Sequence, residues 1–231
     1  MWLTAPNRIG IAAWQVEDSV WRIEARGGRD GVALHVGDQA IRLVAQRDQA
    51  SDQASDQPGN QTLPRLDEQF VRGDELHLSF PQSDDRQFGF RLVVRPVEWD
   101  GFAVDRNHAC FELLVSIQTT LLDAHPSLDL VLPAREGARV ERVAASGCRV
   151  HHADDGDSAA AVLLGPQDVG GSGPIDPDRA QRVTLFGDFL EKGVIRRARP
   201  WLIVNRSGRV IEAKWIGAAI DALTGSPLPL S

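Results

Sequence analysis

Hydrophobic and polar positions alternate along much of the chain. Ser19 to Ala25 alternate, as do Ala40 to Val44 and Glu75 to Phe80. Successive side chains on a pleated strand point to opposite faces, so each stretch predicts a strand with one buried face. Three longer runs are apolar with little alternation: Phe88 to Val94, Ala109 to Ile117 and Val194 to Val204. These predict strands covered on both sides. Pro200 has no N–H to give a ladder and must fall at an edge or a bulge. Turn signals at Gly27-Gly28, Gly37-Asp38, Gly73-Asp74, Asp100-Gly101, Glu136-Gly137 and Ser207-Gly208 separate the runs. Glu191-Lys192-Gly193 predicts a hairpin turn with Gly in the left-handed region.

The sum is about a dozen short strands, an all-β chain folded as a β-sandwich or supersandwich. One stretch departs from this pattern. Trp215, Ile216, Ala219, Ile220 and Leu223 recur at helical spacing, with Gly225 and Pro227 behind them. They predict a short C-terminal helix over Ile211 to Leu223. Residues 47–62 repeat Asp-Gln-Ala-Ser and hold no large apolar side chain, and residues 165–179 are rich in Gly, Pro and Asp. Both predict solvated loops. Strand pattern continues on either side of each, so the expectation is a single domain over 1–231.

Composition narrows the classes. A chain of 231 residues buries enough apolar surface to fold without a metal or a disulfide. Its two cysteines, Cys110 and Cys148, lie in apolar or β-branched runs and form no C-x-x-C pair, so they read as small buried hydrophobes. A net charge of −7 argues against nucleic acid or a membrane surface as partner. The N-terminus lacks a basic stretch followed by an apolar core, and no apolar run nears the roughly 18 residues of a membrane span. Cytoplasmic residence is the default expectation. The charge is divided unevenly: residues 182–214 carry a net of +5 and residues 48–85 a net of −7. Such strips could pair within the fold or between copies, making a homo-oligomer a candidate state.

Catalytic signatures are scarce. There is no G-x-S-x-G elbow, P-loop, G-x-G-x-x-G after a strand, or H-E-x-x-H. Arg72-Gly73-Asp74 reads as a turn. His151 and His152 precede Asp154, Asp155 and Asp157, but adjacent strand residues face opposite ways, so the two imidazoles cannot share one ion from a regular strand. No metal and no cofactor is expected. Asp123 and His125 lie two apart, on one side of an extended backbone. A carboxylate beside an imidazole raises its pKa and fixes its tautomer, as a general acid or base needs. Glu68 is a second carboxylate of the same use. The plainer alternative has Asp123 capping a turn and His125 packed beneath Pro126. Trp14 and Trp21, with Arg72, Gln118 and Arg197, are candidate ligand contacts, because an aromatic face with a few fixed polar groups holds a sugar. Here the alternative is core tryptophans, and the chain has no Tyr.

Three stretches resemble uncharacterised bacterial all-β proteins: Asp67 to Leu76, Val115 to Leu122 and Phe189 to Arg199. The order of elements is similar to that of the galactose-mutarotase-like supersandwich. The resemblance implies that fold and a leaning toward carbohydrate. That family sets two histidines and a glutamate around a hexose. His125 before Pro126 is similar to one of those histidines, and no residue matches the second histidine or the glutamate. The resulting first expectation is a non-catalytic binding or interaction domain for a carbohydrate. The alternatives are a sugar-active enzyme of epimerase or lyase type, using His125 with Asp123 or Glu68, and an assembly protein whose charged strips pair between copies.

Overall fold

Period-two alternation produces two antiparallel sheets laid face to face. The computed structural model describes residues 1–5, 7–45, 62–133, 139–143, 146–154, 158–168 and 182–226. Sheet A runs in the order β1 (Trp2–Ala5), β2 (Arg8–Val16), β3 (Ser19–Gly28), β4 (Gly31–Val36), β5 (Gln39–Ala45), β11 (Ser127–Val131), β15 (Arg182–Phe186), with β6 (Leu63–Arg65) beside β3. Sheet B runs β12 (Arg139–Val143), β13 (Cys148–Asp154), β14 (Ala159–Leu164), β17 (Trp201–Asn205), β10 (His108–Gln118), β9 (Gly89–Pro96), β8 (Glu75–Phe80), β7 (Glu68–Arg72), with β16 (Ile195–Ala198) beside β10. Each strand pair is antiparallel.

Seventeen strands lie among the described residues, more than the dozen expected from the turn signals. One reason is Pro200. The Val194 to Val204 run divides there into β16 and β17, both laid against β10, and the Pro200 carbonyl accepts the Leu113 N–H at 2.9 Å. Gly193 does turn the chain, with φ +81, but the segment before it joins Leu190 to Ala124 by a single bridge and forms no strand. Of the two expected loops, residues 47–61 and 169–179 lie outside the described residues.

The inner faces of the sheets make the main core. Trp2 and Trp21 of sheet A each sit 6.3 Å from the Phe111 ring of sheet B. A third layer covers the runs without alternation around Cys110, Trp201 and Ile203, whereas Phe88 to Val94 and the Val194 end of the third run, also expected to be covered on both sides, keep an open outer face with Arg91, Val194 and Ile195 exposed. Helix α1 (Ala213–Gly225) lies on the outer face of sheet B and buries Ala219, Ile220 and Leu223 among Cys110, Cys148, Leu163, Trp201 and Ile203. Strands β14 and β17 and residues 108–112 of β10 are therefore covered on both sides, and all six residues of β14 are buried. A helix of 13 residues is marginal alone in water, so this apolar stripe is what holds it. Among the described residues no helix is long and apolar enough to cross a membrane.

Candidate binding face

Helix α1 covers only part of the outer face of sheet B. Leu76, Leu78 and Phe80 of β8 and Phe90, Leu92 and Val94 of β9 fill the core. Their alternates, His77, Ser79, Arg91 and Val93, therefore point outward. Register sets a row across this open half: Glu68 faces Ser79, Ser79 faces Arg91, Arg91 faces Ser116 and Ser116 faces Arg197. Neighbouring strands lie about 4.8 Å apart, so Glu68, Arg91 and Arg197 stand about 10 Å from one to the next, with a serine in each gap. Arg91 is exposed and has no ion-pair partner among the described residues. Beside the row, the Phe70 ring stacks on His77 at 4.6 Å with 4° between planes. The His77 Nε2 lies 3.0 Å from Glu75 Oε2. Glu68, Phe70, His77, Ser79, Arg91 and Val93 line a shallow depression of about 270 Å³.

The covered half holds the carboxylate of Glu112, which is 1% exposed. Its Oε1 lies 2.9 Å from Arg95 Nε, and its Oε2 accepts the Trp201 indole N–H at 2.9 Å, with Arg199 Nε at 3.9 Å. Arg199, equally buried, donates Nη2 to the carbonyls of Leu223 and Ser226 at 3.0 and 3.1 Å. It thereby satisfies carbonyls that a helix C-terminus leaves open. Burial pushes the neighbouring Asp168 carboxyl above the ordinary carboxylate range; the Arg199 N–H and guanidinium and the Gly165 N–H oppose the shift without cancelling it. Burial also pushes the Cys110 thiol well up, with the Glu112 charge adding to it, which makes it inert.

The expected site residues are scattered. Glu68, Arg72, Gln118 and Arg197 share the open face of sheet B, with Arg72 at the end opposite Glu68 on β7. Asp123 and His125 lie on the loop after β10, 3.4 Å apart and 79% and 61% exposed. The His125 ring sits 5.8 Å from Phe189 rather than beneath Pro126. A pair so solvated is weakly coupled. Glu68 is three strands from β10, about 14 Å of backbone spacing, and makes no contact with either residue among those described. Trp14 and Trp21 face each other across β2 and β3 on the inner side of sheet A. Trp21 is fully buried, donates its indole N–H to the Asp105 carbonyl at 3.0 Å and lies 4.2 Å under the Arg206 guanidinium. Trp14 packs edge-on against Trp2 at 5.4 Å. Alternation separated two faces but did not say which one looked inward.

His151 and His152 occupy successive positions of β13, and Asp155 and Asp157 lie outside the described residues. Among the described residues no group of three or more His, Cys, Asp or Glu could hold a metal. Sequence reading overlooked Arg91 and Glu112. Each is the lone charge in an apolar run, Phe88 to Val94 and Ala109 to Ile117, and that interruption was the available signal. Compared with protein-family models, curated proteins and solved structures, the chain finds no match.

Proposed function

We propose that this is a non-catalytic binding domain that takes an acidic saccharide on the open half of sheet B. The observation that carries the reading is Arg91, exposed and without an ion-pair partner among the described residues, centred in the row between Ser79 and Ser116 and beside the Phe70–His77 stack. A guanidinium offers a planar fork to a carboxylate, the serines offer hydroxyls to sugar hydroxyls, and the partly exposed Phe70 ring offers an apolar face to a pyranose. Arg197 supplies a second positive charge at the far end. The exposed Asp123–His125 pair lacks the buried surroundings that tune an acid or base, which favours binding over turnover.

The test is a glycan array followed by calorimetry on uronic-acid and neutral oligosaccharides. Acidic glycans should bind and their neutral counterparts should not. Arg91→Ala should weaken binding about tenfold, as loss of one charge-assisted hydrogen bond implies. Equal binding of neutral sugars, an indifferent Arg91→Ala, or no hit on the array would end this reading.

A further inference from the structure

Strand β7 ends sheet B, and among the described residues no strand pairs with its outer edge. Arg72 and Glu75 close the two-residue turn at Gly73-Asp74, where Gly73 takes φ +59. The closing pair of such a hairpin exchanges both hydrogen bonds, and the ladder alternates from there. Glu68, Phe70 and Arg72 therefore give their peptide groups to β8, and the N–H and C=O of Gln69 and Val71 face away from the sheet. Among the described residues no other backbone group takes them. Edge strands are ordinarily guarded by Lys, Pro, a bulge or a covering loop. This one has no Lys or Pro, its register with β8 is regular from Glu68 to Arg72, the Asp67 N–H just before it also reaching the Ser79 carbonyl at 3.0 Å, and Phe70 and Val71 are 45% and 39% exposed.

Read backwards, Glu68-Gln69-Phe70-Val71-Arg72 complements itself in charge. Consider a two-fold axis at Phe70. Glu68 then faces the partner's Arg72, and Arg72 faces the partner's Glu68. Phe70 meets the partner's Phe70 at a non-hydrogen-bonded position, where the Cα atoms of a pair approach to about 4.5 Å and side chains are closest. Gln69 and Val71 supply the outward N–H and C=O groups that such a pairing needs. A second copy presents both charges and the aromatic ring in this reversed order.

We infer that β7 pairs with β7 of a second copy of this chain, joining two B sheets into one continuous sheet. The interface is isologous, as closed dimers require. It sets the two open faces side by side, so an extended ligand could run across both. The inference stands on the edge geometry and not on the ligand proposed above.

Light scattering and sedimentation of the full chain test it. The mass should rise with concentration from 25.2 kDa toward twice that value. Arg72→Glu opposes Glu68 of the partner subunit and should weaken association about tenfold. The double variant Glu68→Arg with Arg72→Glu restores opposite charges across the axis and should recover the dimer. Val71→Pro removes an outward N–H, which an edge strand tolerates, and should give a folded monomer by circular dichroism. A wild type that stays monomeric, an Arg72→Glu variant that dimerises as wild type does, or a folded double variant that fails to recover would overturn the inference. If Val71→Pro does not fold, the charge reversal and its rescue decide alone.

Discussion

The two halves of the outer face of sheet B solve opposite problems with the same strands. Under α1 the surface is apolar, and the buried carboxylate of Glu112 is met by Trp201, Arg95 and Arg199. Beyond the helix, Arg91 makes no ion pair among the described residues. Water solvates Arg91 at no cost, whereas Glu112 without its donors would carry an unpaid desolvation penalty. A fully compensated charge is thus a mark of structure, and an uncompensated one on an ordered sheet is a mark of availability.

Substitutions can break this contrast. Trp201→Ala should have the largest effect, a loss of about 3–5 kcal/mol in urea unfolding, because it empties a core position and strips a donor from Glu112. Glu112→Ala leaves the buried Trp201 N–H without its acceptor and Arg95 without its carboxylate and should cost about 3 kcal/mol by the same measurement, with α1 loosened in hydrogen exchange. Asp168→Asn tests the buried carboxyl through pH. Its folded pKa is raised, so the stability it contributes is complete below the ordinary carboxylate pKa and is lost as pH rises through the folded value. The thermal midpoint of Asp168→Asn should therefore gain on wild type from acid to neutral pH. A constant difference would show that Asp168 titrates normally. Arg91→Ala should be the mildest, within about 0.5 kcal/mol of wild type in unfolding, so that any loss of glycan binding is read without a stability correction.

Much of the architecture could be read from residue order. The alternating stretches became β3, β5 and β8, and the helical spacing of Trp215 to Leu223 became α1, ending at Gly225. The apolar run from Ala109 to Ile117, interrupted by Glu112 and Ser116, implied cover on both sides, and α1 supplies it over Cys110 but not over Ser116; the same expectation for Phe88 to Val94 fails at Arg91, which is exposed. The binding face was far less legible. The row from Glu68 to Arg197 depends on four cross-strand registers between segments up to 129 positions apart, and no local pattern encodes register at that range. Trp21 shows the same limit from the other side. Its period was right, but only tertiary packing decided that its face met Phe111 rather than water.

The Gln69 side chain has a consequence for how β7 behaves. Its carboxamide accepts from the Gly10 N–H at 2.6 Å and donates to the Ile11 carbonyl at 3.1 Å, where the β1–β2 register skips from Ala12 to Arg8. The last strand of one sheet is thereby moored to the other sheet through an amide that is not part of the main chain. It stays taut while its own peptide groups remain uncommitted, so whatever joins it meets a rail already laid straight and forfeits little chain entropy on arrival.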